Sequence, residues 1–205
     1  MTASVLLARD LPLWQDALPL LDVRDNDEHS LIAYALAKQL LVAYPEAQES
    51  TVLPAILLHD IGWKTVDPNL ILSAIGPGGN RPDLVRQHEI EGAKLAAEIL
   101  HKHQPEGVDH AAVLAIIERH DSWKHATSLE DSLVKDADKA WRFTPHGVKT
   151  IAAWFDMEIL PTYDMLEDFV MPQMLTDAGR AMAQTFLAAG RAQAQFAMYM
   201  SNNNE

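Results

Sequence analysis

Apolar positions recur at three- and four-residue spacing along most of the chain, and no run alternates convincingly with period two. That pattern predicts helices nearly throughout and an all-α fold. Leu31, Ala35, Ala37, Leu40 and Leu41 follow a polar start, Asp27-Glu28-His29-Ser30, and Pro45 closes this helix. A second helix is predicted over 51–60, with Ser50 as its cap and Gly62 just past its end. Residues 65–80 read as a loop ending in Gly76-Pro77-Gly78-Gly79-Asn80. Pro82 opens a third helix, whose apolar face reads Leu84, His88, Gly92, Leu95 and Ile99. A fourth runs from about Asp109 to His120, and a fifth starts near Ser128 and carries Leu133, Val134, Ala137, Ala140 and Trp141. Beyond it, helices are expected over 147–160, ahead of Pro161, and over 163–174. A last Ala-rich helix runs from a Thr176 cap to near Met200, with 201–205 as a frayed tail.

The 205 residues suit one domain with its own core. The absence of cysteine excludes disulfides, thiolate metal sites and a cysteine nucleophile. Lys and Arg number 16 against 29 Asp and Glu, a formal net charge of −13. So acidic a chain repels a phosphate polymer, so no nucleic acid partner is expected, whereas a small anion is acceptable where local positive charge receives it. No basic start with a long apolar run marks a signal peptide, and Val52 to Leu58 is too short to span a bilayer. The expected setting is cytoplasmic, with no membrane partner.

The chemistry lies in a series of histidines and acids. His29, the pair His59-Asp60, His88 and His120 are spaced by about thirty residues, and Asp136 or Asp138 follows after a shorter step. Each step is one helix plus one turn, so successive groups fall on successive helices and can converge in a bundle. Mixed imidazole and carboxylate donors suit Mn, Fe, Co or Zn, and Asp60 is the natural bridge between two ions. A binuclear site binds a phosphate oxygen and lowers the pKa of a bound water. Taken singly, each residue has an ordinary explanation: His29 as a cap, His59-Asp60 as a solvated helix end, His88 and His120 as core histidines. Helical spacing does not choose between Asp136 and Asp138.

This ordered set resembles the HD-domain superfamily: His29, then Leu57-Leu58-His59-Asp60-Ile61-Gly62, then Leu133-Val134-Lys135-Asp136-Ala137-Asp138-Lys139. His88 and His120 match the extended, two-metal form of the motif. The resemblance implies a single HD-type domain over 1–205, with a helical bundle core at about 25–145 and a C-terminal helical cap at about 147–200. Its Ala-Asp-Lys context selects Asp138. It further implies one metal on His29, His59, Asp60 and Asp138 and a second on Asp60, His88 and His120. Implied cofactors are one or two divalent ions, Mn, Fe, Co, Ni, Mg or Zn.

The implied activity is metal-dependent hydrolysis of a small phosphate ester, a nucleotide foremost. A minority of the superfamily are diiron oxygenases that cleave C–C or C–P bonds with O2, and a non-catalytic metal-bound helical module is a third reading. Two departures narrow the field. Trp63 stands where some nucleotidase branches carry an acid, and the glycine-rich signature of the cyclic-dinucleotide branch is absent. Lys139 and Lys64 are expected to act beside Asp60 in catalysis, and Arg142, Arg81 and Lys124 to bind substrate. Trp63, Trp123, Trp141 and Phe143 lie close in sequence to the ligand set and can stack on a base or pack. The Met-rich helices after 150 are expected to shape the pocket or form a homodimer surface.

Overall fold

The structure is a computed structural model and describes residues 5–76 and 78–202. Among these residues every regular element is helical. The ten α-helices are α1 (Leu11–Leu21), α2 (Asn26–Ala43), α3 (Glu49–Leu58), α4 (Pro68–Ile75), α5 (Pro82–His103), α6 (His110–Ile117), α7 (Leu129–Trp141), α8 (Pro145–Trp154), α9 (Ile159–Phe169) and α10 (Asp177–Asn202). Short 3-10 turns lie at Ile61–Thr65 and Met171–Gln173.

The centre of the bundle is α3. All residues from Thr51 to Leu58 are buried, as expected of a helix that is apolar on every side. Helices α2, α6 and α7 surround it with Ala33, Tyr34, Leu40, Val113, Ile117, Leu133, Val134 and Ala137. Each large apolar side chain buried there contributes about 1.5–3 kcal/mol. Buried Tyr34 also donates to Asp10 Oδ2 at 2.6 Å, tying the segment before α1 to α2.

Local chemistry sets the helix starts that matter for the site. Ser128 Oγ accepts from the Asp131 backbone at 3.2 Å while Asp131 Oδ2 accepts from the Thr127 backbone at 2.8 Å, a reciprocal cap on α7. Asp109 caps α6 through the Ala112 N–H. Close approach of α5 to the turn at 61–65 requires Gly62: a Cβ there would lie 1.9 Å from the His88 carbonyl oxygen.

Several expected boundaries are corrected. The 65–80 loop contains α4, started by Pro68 and by Asp67, whose carboxylate accepts from the Asn69 N–H at 2.9 Å. The second expected helix begins at Glu49, with Gln48 rather than Ser50 at the cap position. Pro161 ends no helix, because it lies in the first turn of α9, where its missing N–H has no intrahelical partner to lose. Thr176 caps α10 through the Gly179 N–H at 3.0 Å. The expected frayed tail is helical at Ser201 and Asn202; its remaining residues, like Pro77, lie outside the described residues. Among the described residues no helix is long and apolar enough to cross a membrane.

Candidate metal centre

His29 projects from the first turn of α2, and His59 and Asp60 follow the end of α3. His88 lies in α5, His120 just past α6, and Asp138 in α7. All six are buried and converge on one spot. His29 Nε2 lies 3.0 Å from His59 Nε2, and His88 Nε2 lies 3.3 Å from His120 Nε2. Asp60 stands between the two pairs, 3.5 Å from His29 and 3.7 Å from His59 on one side, 3.6 Å from His120 and 3.9 Å from His88 on the other. Asp138 Oδ1 approaches His29 and His59 at 3.5 and 3.8 Å.

Asp136, the competing aspartate, is placed elsewhere. Its carboxylate accepts from the Leu175 N–H at 2.7 Å and from the Thr176 N–H and hydroxyl at 2.8 and 2.6 Å, fixing the entry to α10.

Sequence reasoning missed Asp121. Its Oδ2 lies 3.5 Å from His88 Nε2 and 3.7 Å from His120 Nε2. Fully buried Glu89 holds this loop by accepting from the Asp121 and Ser122 N–H groups at 2.9 and 2.7 Å. Arg86 neutralises Glu89 at 2.6 Å and donates to the Glu118 carbonyl. From the other side, buried Lys135 pairs with Asp131 at 2.8 Å and reaches the Arg119 and His125 carbonyls. The adjacency His120-Asp121 was the available signal, but Asp121 lies off the helical pattern.

The donors are oriented as a cation would require. His59 Nδ1 is 2.7 Å from the Ile56 carbonyl and His120 Nδ1 is 2.8 Å from the Ile117 carbonyl. Each Nδ1 therefore carries a proton, and Nε2 is the atom that each ring turns to the site. The Nδ1 atoms of His29 and His88 are buried without partners. Imidazole nitrogens this close oppose lone pair to lone pair unless a proton or cation lies among them. Three groups have ligand atoms near enough to share an ion: His29-His59-Asp138, His59-Asp60-His120 and His88-His120-Asp121.

Electrostatics follow the same division. Burial pushes His29 and His88 down to about 4. Burial also disfavours charge on His120, but Asp121 and Asp60 outweigh it and raise the group to about 9. Burial alone would raise the Asp60 carboxyl; His59, His120 and His29 hold it well below the usual carboxylate range. Trp63 reinforces both sides, donating Nε1–H to Asp60 Oδ1 at 3.1 Å and stacking on His88 at 3.9 Å between ring centroids. Trp141 meets His29 edge-on at 4.4 Å.

The centre opens into a cavity of about 880 Å³ lined by His29, Asp60 and Asp138 together with Arg24, Lys124, Lys139 and Arg142. Arg142 pairs with Asp138 at 3.3 Å, and burial lowers the Lys139 ammonium. Two expected cations do not line it. Lys64 is exposed and pairs with Asp22 at 2.5 Å, and Arg81 pairs with Asp83 at 2.7 Å. Each finds a nearer carboxylate away from the centre. Arg24 takes the place that sequence proximity had given them. Arg24 and Asp25 both adopt left-handed backbone, with φ of 55° and 59°, in the turn between α1 and α2. The Arg24 guanidinium packs on Trp63 and Trp154, 5.2 and 5.0 Å from the ring centroids, and its Nε has no partner. Of the four aromatics near the ligand set, Phe143 is core and Trp123 is half-exposed at the cavity.

Residues 26–140, more than half of the chain, match the family model of the HD domain. No curated protein and no solved structure gives a match.

Proposed function

This chain belongs to the HD domain family, and from that premise we propose that it hydrolyses a small phosphate ester with the help of bound divalent metal. One observation carries the reading: four imidazole Nε2 atoms and three carboxylates meet at a buried point that opens into a cation-lined cavity. His29, His59, Asp60 and Asp138 would hold one ion, and His88, His120 and Asp121, with Asp60 as bridge, a second. Bound there, divalent metal supplies charge neutralisation at phosphate and acidifies water.

The chain's own groups do the rest. The carbonyls of Ile56 and Ile117 fix the tautomers of His59 and His120, and Trp63 orients Asp60. Arg24, Arg142 and Lys139 border the cavity and receive the anionic end, where positive charge stabilises the added negative charge of the transition state. In the net reaction a water oxygen bonds to phosphorus, the ester P–O bond breaks, and the departing oxygen takes a proton to leave as alcohol.

The test is phosphate release from nucleotides, sugar phosphates and aryl phosphates by metal-stripped protein reloaded separately with Mn, Co, Mg, Ni or Fe. Release that requires metal and disappears in Asp60→Ala is the expected result. Silence with every ion and ester, in protein that demonstrably holds metal, would overturn the proposal.

A further inference from the structure

Resting on that reading, we infer that the substrate is a phosphate ester of a bulky apolar alcohol, aryl or long alkyl, and not of a sugar. The cavity has two chemically distinct parts. One is polar and charged, the ligand set with Arg24, Arg86, Ser122, Lys124, Lys139 and Arg142. The other is a wall contributed by α8, α9 and the turn after α9, which includes Trp154, Phe155, Leu166, Phe169, Val170 and Leu175. Gln173 is the polar member of that wall, and its amide already donates to the Phe169 carbonyl. Sugar hydroxyls or base edges placed there would lose water without finding partners, whereas hydrocarbon would not.

Size and exposure point the same way. A cavity of about 880 Å³ lies near the top of the range for small-molecule sites, far more than a phosphate needs. Three of its lining side chains remain exposed although large and apolar: Phe169 at 67%, Trp123 at 47% and Leu175 at 39%. Apolar groups left open around one cavity are explained by a ligand that covers them. The wall also lies outside residues 26–140, so the elements that match the family bring the metal ligands, and elements beyond them dictate which ester fits.

The experiment compares kcat/KM for 1-naphthyl and octyl phosphate with ribose 5-phosphate, glycerol 3-phosphate and AMP on metal-loaded protein. Calorimetry of naphthylphosphonate against methylphosphonate reports binding without turnover. The apolar esters are expected to lead by about tenfold or more, since even one methylene in an apolar pocket is worth about tenfold. Phe169→Glu and Leu175→Glu alter exposed positions and should each shrink that lead. Sugar phosphates or AMP turned over as well as the apolar esters would overturn this inference and leave the hydrolase reading standing. Naphthylphosphonate binding preferentially, with no ester hydrolysed, would defeat the hydrolase reading and the substrate assignment with it, leaving only the apolar preference of the wall. Equal binding of the two phosphonates, unmoved by either variant, would overturn the inference whatever the activity.

Discussion

Gly62→Ala offers the sharpest test of how the centre is assembled. The added methyl carbon would sit 1.9 Å from the His88 carbonyl oxygen and 2.6 and 2.8 Å from Gly92 N and Cα. All three atoms are backbone, so no side-chain rotation relieves the overlap. Reaching ordinary contact at 3.4 Å requires α5 to move by about 1.5 Å relative to the 61–65 turn. His88 lies on the moving segment and Asp60 on the stationary one. Overpacking of this kind costs about 1–3 kcal/mol, which lowers the melting temperature by roughly 2–4 °C per kcal/mol for a chain of this size. A displacement near 1 Å also costs on the order of a hundredfold in catalysis. Metal content by mass spectrometry and thermal melts would read both effects. In the proposed two-ion arrangement, metal held by His88, His120 and Asp121 should be weakened or lost, and metal held by His29, His59, Asp60 and Asp138 kept. Gly92→Ala is the control, because its methyl carbon meets Gly62 N and Cα at 3.3 and 3.4 Å and needs far less movement. If Gly62→Ala melted like the wild type and held as much metal, or if Gly92→Ala proved the more damaging, close packing at Gly62 would not be what aligns the centre.

Three further outcomes are expected. Asp138→Asn should lose metal with little change in fold, while Asp136→Asn should keep metal and lose about 1–3 kcal/mol of stability through its mismatched donors; denaturant melts and metal titrations separate the two, and the opposite pattern would reverse their roles. His120, raised to about 9, must give up its proton to ligate, so metal uptake at pH 7 to 8 should release protons; calorimetry in buffers of different ionisation enthalpy would detect them, and no buffer dependence would contradict the assignment. In metal-free protein His29 and His88 lie near 4 against an ordinary 6.5, so the folded state binds fewer protons than the unfolded one and stability falls as pH drops from about 6.5 towards 4. The His120 contribution has the other sign, complete below about 6.5 and lost as pH rises through about 9. Melts of chelated protein at pH 4.5, 6.5 and 9 should peak at the middle value; stability unchanged between 4.5 and 6.5 would show that the two imidazoles are not kept neutral.

Helices α2, α5, α6 and α7 were legible because each has a one-sided apolar stripe and a polar or Pro start. The expected start of α7 near Ser128 coincides with its cap. Helix α4 was hidden by its shortness and by the glycines after it, although Asp67-Pro68 marked its start. The spacing of the six expected metal residues distributed them over five elements, His59 and Asp60 sharing the end of α3, and the fold gathers them. Cations were harder, since nearness in sequence to a ligand says nothing about direction: Lys64 and Arg81 turn to surface carboxylates. Arg24 reaches the centre only through a left-handed turn, a backbone choice that residue type does not announce for arginine. Asp121 is placed by Glu89, Arg86 and Lys135, groups distant along the chain, and no local pattern encodes that.

Helix α7 carries two aspartates two residues apart with unlike attachments, Asp138 to the histidines and Asp136 to the start of α10. A fragment stopping at residue 140 would retain every metal-ligating side chain at the centre yet strip Asp136 of Leu175 and Thr176 and lay open the face of α7 that α10 covers. The stretch a family pattern recognises and the stretch that stands in water by itself are thereby expected to end in different places. The same linkage restricts exchange between relatives: a transplanted substrate wall would have to bring its own counterpart of Thr176, or the helix bearing Asp138 would lose its anchor.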